Sequence, residues 1–205
     1  NHLDRHKTEE NYWLAKKRIF MNQKKEDFAI INYDDEKVVK ASRDCKAEIY
    51  CISLKNKVDK GIYMENNKLI YRNTDKNITS EIIDINQIPM KGNHNVENVA
   101  FASLIGILTG INKEVIKREI MAFKPDGHRL EELNLLSDKI LVVDDSKATN
   151  PDAAIKALEA YNKPIVLIAG GQDRDADFKF FAEIISKKVK TLILLGETKD
   201  KLADE

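Results

Sequence analysis

The last third of the chain alternates strands and helices, and this alternation limits the fold more than any other feature of the sequence. Apolar segments typical of strands occur at 139–143, 164–169 and 191–195. Segments with the apolar spacing of helices lie between them, at 151–161 and 178–188. Strands joined in this way by helices lie parallel to one another. The pattern predicts an α/β domain with a parallel sheet and helices over its faces.

The upstream part of the chain has a different pattern. It contains short strands, a hairpin with its turn at Asn66-Asn67, and two helices predicted over 93–111 and 113–123. The segment Lys124-Pro125-Asp126-Gly127 then breaks the helix and turns the chain. We therefore place a domain boundary there, with domains at 1–125 and 126–205.

Composition excludes several classes of function. Lys+Arg and Asp+Glu both total 34, so the chain has no overall basic field for nucleic acid or an anionic membrane. Its two cysteines, Cys45 and Cys51, are too few for a disulfide framework or a zinc site. No apolar run approaches the roughly 18 residues of a membrane span. These features predict a cytoplasmic protein without a nucleic-acid or membrane partner.

The loop Asp144-Asp145-Ser146-Lys147-Ala148-Thr149-Asn150 is the first candidate for a binding site. It follows a predicted strand and precedes a predicted helix, and ligands of parallel sheets bind beyond the carboxyl ends of the strands. Carboxylate, hydroxyl and ammonium groups beside free backbone N–H groups suit a charged ligand. Ordinary helix capping explains the same residue types equally well.

Two further segments carry an arginine. In the loop 169–175, Gly170-Gly171 permits a close backbone approach and Arg174 can bind a carboxylate or phosphate, although most Gly-Gly pairs are simply turns. At the expected domain junction, Arg129 can reach a ligand or form a salt bridge. The sequence has no Walker A loop, so the chain by itself shows no complete catalytic site.

Lys16 occupies an unusual place in the first predicted helix, over 8–22. At about 100° per residue, the apolar residues of that helix form a face with Lys16 near its centre, whereas Lys17 lies at the edge of that face. A snorkelling stem with a hydrated ammonium is the ordinary explanation.

Five segments together resemble the Mur ligase family. They are Asn1–His6, Ala15–Phe20, the H-N-x-x-N-like Gly92–Asn98, the H-R-x-E-like Gly127–Glu131, and Asp145–Asn150, which reads D-S-K-A-T-N. The last is typical of the members that add D-glutamate. The resemblance implies part of a central ATPase domain followed by part of a Rossmann-like C-terminal domain with a parallel sheet.

The resemblance also implies an activity of peptidoglycan synthesis. ATP phosphorylates the carboxylate of UDP-N-acetylmuramoyl-L-alanine, and the amine of D-glutamate attacks the acyl phosphate. We expect a monomer that uses ATP and Mg²⁺. Because the phosphate loop and the UDP-binding domain of the family would precede Asn1, we expect the 205-residue chain to be an inactive fragment.

Residue roles follow from the same resemblance. Lys16 corresponds to a lysine whose carbamate binds magnesium, and His2 to a histidine that helps to hold the metal. Desolvation of Lys16 on an apolar face is expected to favour the neutral amine that reacts with CO2. Lys147 and Thr149 correspond to residues near the acyl centre and the incoming D-glutamate. Arg174 stands where the family usually has a lysine for the D-glutamate carboxylate.

The nucleotide would be held by four further residues. Asn95 and Asn98 match the H-N-x-x-N positions, Arg129 the arginine at the ATP phosphates, and Asp145 the aspartate on the ribose. Two alternatives stay open: another Mur ligase or folylpolyglutamate synthase relative, and a non-catalytic nucleotide-binding module.

Overall fold

The computed structural model describes residues 6–124, 127–137, 140–173 and 176–205. These residues form two units. The first contains the chain up to Pro89 together with Val96–Phe123, and the second contains Met90–Asn95 together with Lys124–Glu205. The boundary expected after residue 125 stays a prediction, and the units differ from it by placing Met90–Asn95 with the second.

In the first part of the chain, the elements are α1 Glu9–Lys17, β1 Phe28–Asn32, α2 Glu36–Ser42, β2 Glu48–Ser53, β3 Lys60–Glu65, β4 Lys68–Asn73, β5 Ile78–Asp84, α3 Asn93–Leu108 and α4 Lys113–Ala122. A 3-10 turn at Arg18–Phe20 follows α1, and another at Ile85–Gln87 follows β5. Helix α2 was not predicted. It begins where the Asp35 carboxylate accepts hydrogen bonds from the N–H groups of Lys37 and Val38.

One mixed sheet organises the first unit, with the strand order β1-β2-β3-β4-β5. Strands β1, β2 and β3 are parallel, and the pairs β3–β4 and β4–β5 are antiparallel. The hairpin predicted at Asn66-Asn67 is confirmed as the β3–β4 connection. Both residues have φ values in the left-handed region, 51° and 61°, which is the geometry that two-residue hairpin turns require.

The core of the first unit consists of aliphatic and tyrosine side chains from the sheet and from α3. Fully or almost fully buried members are Tyr50, Ile52, Ile62, Tyr63, Leu69, Ile83 and Leu104. Helix α3 buries Val96, Val99, Ala100 and Leu104, which confirms the prediction of a mostly buried helix there. In the part of the chain that the structure describes, no helix is long and apolar enough to cross a membrane.

The second unit continues with β6 Glu131–Ser137, β7 Ile140–Asp144, α5 Pro151–Glu159, β8 Ile165–Gly171, α6 Lys179–Lys188, β9 Val189–Gly196 and α7 Lys199–Ala203. Strands β8 and β9 are parallel, as predicted. Strand β7 was expected to join them. It pairs instead with β6, antiparallel, and β6 was not predicted. Only two residues separate β6 from β7, and so short a connection favours a hairpin.

Helices cover one face of the β8–β9 pair. The core between these helices and the two strands contains side chains from three helices: Ile155 and Leu158 of α5, Phe181 and Ile185 of α6, and Leu202 of α7. On the opposite face Val166, Ile168, Ile193 and Leu195 are exposed. The expectation of helices over both faces is therefore correct for one face among the described residues.

Candidate functional site

The loop between β7 and α5 is held by its own side chains. The Asn150 side chain accepts a hydrogen bond from the Ala153 N–H at 2.9 Å, with Pro151 at the first helical position. The Asp144 carboxylate accepts one from the Ser146 N–H, also at 2.9 Å. These two bonds fix the ends of the loop. Within it, the Ala148 N–H donates to the Asp145 carbonyl at 2.8 Å and the Thr149 N–H to the Lys147 carbonyl at 2.9 Å.

The turn 127–131 lies against this loop and is joined to it by three hydrogen bonds. The His128 Nδ1 lies 2.7 Å from Asp144 Oδ2. The Lys147 N–H donates to the His128 carbonyl at 3.1 Å, and the Leu130 N–H donates to Asp145 Oδ1 at 3.1 Å. The two segments that the sequence singled out separately therefore form one surface.

Arg129, Asp145 and His94 are electrostatically coupled on this surface. Burial raises the pKa of the Asp145 carboxyl, while the Leu130 N–H and the charges of His94 and Arg129 act in the opposite direction. Arg129 itself is exposed. An exposed guanidinium beside a half-buried carboxylate can bind a ligand that carries phosphate and hydroxyl groups.

The adjoining Asp144 carboxylate stays ionised. Its pKa falls to about 2, chiefly because His128 and the Ser146 backbone and side chain hydrogen-bond to it. The same bond raises the pKa of His128, so the contact favours the charged form of both side chains. A ring nitrogen of His128 and one carboxylate oxygen each from Glu131 and Asp144 all lie within 4.8 Å of one another. These three side chains therefore form a tight polar cluster.

The segment before α3 belongs to the same unit. The Lys91 ammonium forms a 2.7 Å salt bridge with Glu132 and lies 5.9 Å from the centroid of the Tyr161 ring. Burial, with Glu132, raises the pKa of Tyr161 to about 12. The Asn95 side chain donates to the Lys91 carbonyl at 2.7 Å. Segment 90–95 is thus tied to β6 through Glu132 and to Tyr161, which follows α5.

The remaining asparagine, Asn98, is exposed one turn further along α3. Lys147 and Thr149 are also exposed in the loop between β7 and α5. Gly170 lies opposite Leu195 in the β8–β9 ladder, so its lack of a side chain serves strand pairing. His2 and Arg174 lie outside the described residues.

Lys16 does not have the buried environment that the sequence suggested. It is exposed, and its ammonium lies 5.5 Å from the centroid of the Tyr12 ring. The apolar side chains expected to surround it include Ile19, which is 73% exposed. Lys17 is half-buried and forms a 2.7 Å ion pair with Asp44. The expected desolvation of Lys16 is therefore wrong among the described residues, and its assigned role stays a prediction.

Sequence reasoning gave no role to His128, Glu131 or Asp144. All three lie in or beside the segments that it quoted, and the H-R-x-E pattern was the available signal. The structure brings Arg129, Asp145 and Lys147 together in the second unit. Lys16 lies in the first unit.

Comparison with known proteins identifies the class. The family model of the Mur ligase middle domain matches residues 1–106, and the model of the Mur ligase glutamate ligase domain matches residues 128–205. The chain belongs to the Mur ligase family. The family resemblance read from the sequence is confirmed.

Individual relatives extend this result. The chain is 43% identical over 198 residues to the UDP-N-acetylmuramoylalanine--D-glutamate ligase of Clostridioides difficile strain 630, which covers 97% of this chain and 43% of the relative. It is 41% identical over 204 residues to the enzyme of the same name from Thermoanaerobacter sp. strain X514, covering 100% of this chain and 44% of that one. The chain thus spans less than half the length of these relatives.

Solved structures support the fold. MurF from Acinetobacter baumannii superposes with a TM-score of 0.75 at 17% identity, over 99% of this chain and 46% of that one. Folylpolyglutamate synthase from Thermotoga maritima gives a TM-score of 0.53 at 17% identity, over 99% and 54% of the two chains. The predicted α/β fold of a Mur ligase central and C-terminal domain is confirmed.

Proposed function

We propose that this chain is part of an ATP-dependent ligase that joins D-glutamate to UDP-N-acetylmuramoyl-L-alanine through an acyl phosphate, in bacterial peptidoglycan synthesis. The observation that carries the proposal is the identity of about two residues in five, along nearly the whole chain, to relatives named for that reaction. The solved structures are too distant in sequence to indicate a substrate.

ATP is proposed to bind at the surface formed by the turn 127–131 and the loop 144–150. Arg129 would bind phosphate oxygens, for which a planar guanidinium is suited. Asp145 would accept hydrogen bonds from ribose hydroxyls, and Asn95 and Asn98 would contact the base. The bond from the Leu130 N–H to Asp145 places the backbone of Arg129 next to that carboxylate, which supports a ligand that meets both groups.

Acyl transfer requires cationic groups where negative charge develops on the transferring phosphoryl group and on the tetrahedral carbon. Lys147, exposed beside Asp145 in the loop, is proposed for this role, and Thr149 for contact with the acyl centre or D-glutamate. Arg174 is proposed to bind the D-glutamate carboxylate, as an arginine in place of a lysine.

Magnesium would be held by Lys16 and His2. Mg²⁺ binds oxygen ligands, which the ammonium of Lys16 lacks and a carbamate supplies. Lys16 would therefore hold the metal only as the carbamate, and this assignment rests on the family resemblance, since the residue is exposed. The metal would neutralise phosphate charge.

The decisive experiment measures phosphate release by the product of the complete open reading frame that encodes residues 1–205. ATP, Mg²⁺ and UDP-N-acetylmuramoyl-L-alanine are supplied, and D-glutamate, L-lysine or diaminopimelate is added in turn. Turnover only with D-glutamate is the expected result. Turnover with another acceptor would indicate a different Mur ligase, and no turnover with any of them would indicate a binding module.

Two lysine variants of that product test the magnesium role. We expect Lys16→Ala to lower kcat by about a hundredfold or more, because a removed transition-state contact costs about that much. The control is Lys17→Ala, which removes only the surface ion pair with Asp44 and should keep near-normal activity. Equal loss in both variants would contradict the assignment to Lys16.

The proposal includes the location and state of the enzyme. We propose a monomer of the cytoplasm, with a role in cell-wall growth and division. The 205-residue chain alone should not hydrolyse ATP, and turnover above a blank without protein would overturn that expectation.

A further inference from the structure

His128 has no assigned role, yet its ring and both of its backbone polar groups form contacts. Its ring Nδ1 lies 2.7 Å from Asp144 Oδ2. Its backbone N–H donates to Glu131 Oε2 at 2.8 Å, and its carbonyl accepts from the Lys147 N–H at 3.1 Å. The residue therefore connects the start of β6, the end of β7 and the loop that follows β7.

The backbone around Arg129 has an unfavourable conformation that these contacts hold. His128 has φ 66° and Leu130 has φ 45°. Both values lie in the left-handed region, which residues other than glycine rarely adopt. Such conformations persist where surrounding contacts impose them. The contacts of His128 impose one, and the bond from the Leu130 N–H to Asp145 imposes the other. Arg129 is held between two anchored residues.

We propose that His128, through its contact with Asp144, is a positioning residue that fixes the turn 127–131 on the loop 144–150 and so sets the place of the Arg129 guanidinium. The proposal rests on the proposed function only where it assigns Arg129 to the phosphates of ATP. The clamp between the turn and the loop is a property of the described residues.

The charges that face His128 favour its protonated form. Asp144 contributes most, Glu131 acts in the same direction, and Lys147 opposes them. Together they raise the pKa of His128. Because the pKa is raised, the ionic part of the His128–Asp144 contact is complete below the ordinary histidine value of about 6.5 and is lost as pH rises through the higher value in the folded state. A neutral ring can still hydrogen-bond to Asp144, and the backbone bonds of the clamp do not titrate. The clamp should therefore weaken, without opening, in mildly alkaline solution.

The first experiment needs no activity. The chain has four histidines, and His128→Gln identifies the ring signals of His128 in NMR spectra of the 205-residue protein. We expect those signals to titrate above the ordinary value, and Asp144→Asn to bring the midpoint back towards it. The control, Asp204→Asn, removes an exposed carboxylate near the end of the chain and should change nothing. An identical midpoint in the wild type and Asp144→Asn would overturn the clamp.

The second experiment uses the complete open reading frame and separates positioning from mere structural support. We expect the KM for ATP to rise with pH through the titration of His128, while kcat changes little. His128→Gln should raise that KM roughly tenfold at low pH, as expected for a displaced binding group, and should remove the pH step. Circular dichroism of each variant checks that it is folded.

The outcomes distinguish this inference from the proposed function. Absence of ligase turnover in the wild type overturns the proposed function and with it the link to ATP, whereas the NMR titration still decides the clamp. An active enzyme whose His128→Gln variant keeps the wild-type pH profile of KM overturns the positioning role. Loss of kcat with an unchanged KM would also overturn it.

Discussion

Gly170 offers the sharpest test of how the second unit is built, because its neighbour Gly171 supplies a matched control. Both residues have φ values that favour glycine, 135° and 144°. An added Cβ at Gly170 would lie 1.8 Å from the backbone oxygen of Leu195, whereas one at Gly171 would have nothing within 4 Å. The two alanine variants therefore share backbone strain and differ in a collision with β9.

The magnitudes follow from this difference. Strain at an unfavourable φ costs roughly 1–3 kcal/mol, and this is the whole expected effect of Gly171→Ala. Gly170→Ala must also push β8 away from β9 and break about two ladder hydrogen bonds, each worth about 1 kcal/mol net. We expect Gly170→Ala to lower the free energy of unfolding by about 3–5 kcal/mol, which is about 2 kcal/mol more than Gly171→Ala.

Urea unfolding measures the difference. With a slope of about 1 kcal/mol per molar urea, the extra 2 kcal/mol corresponds to a midpoint about 2 M lower. Far-UV circular dichroism follows the whole chain. The single tryptophan, Trp13, lies in the first unit, so its fluorescence should report an unchanged transition there. Equal midpoints for the two glycine variants would refute the argument from the Leu195 contact.

Three further outcomes are expected. Leu104→Ala should lower the free energy of unfolding by about 2–5 kcal/mol, measured by Trp13 fluorescence in urea, because Leu104 is 0% exposed; the adjacent Ile105, 50% exposed, should tolerate alanine far better. Asn150→Ala should cost about 1 kcal/mol in thermal unfolding, since it removes the cap of α5, and Asn150→Asp should restore most of it. The ionised Asp144 carboxylate should stabilise the folded state fully above its unfolded pKa of 3.8, and this stabilisation should disappear as pH falls towards about 2. The free energy of unfolding of Asp144→Asn should therefore fall less with decreasing pH than that of the wild type.

Local patterns in the chain determined most of its elements. The β8–α6–β9 alternation, the Asn66-Asn67 hairpin and the Asn150 cap all depend on residues close together in sequence, and the structure has all three. The motifs likewise identified the family without any structure. Such features can be read from sequence because side-chain periodicity, turn residues and caps act over a few residues.

Tertiary structure alone decided what depends on distant residues. It paired β7 with β6 and left Lys16 exposed rather than on a buried face. It also brought His128 to Asp144, 16 residues away, and thereby joined two separate motifs into one surface around Arg129. Strand partners, burial and the pKa of a paired group are set by neighbours in space, and no local pattern in the sequence specifies which neighbours those are.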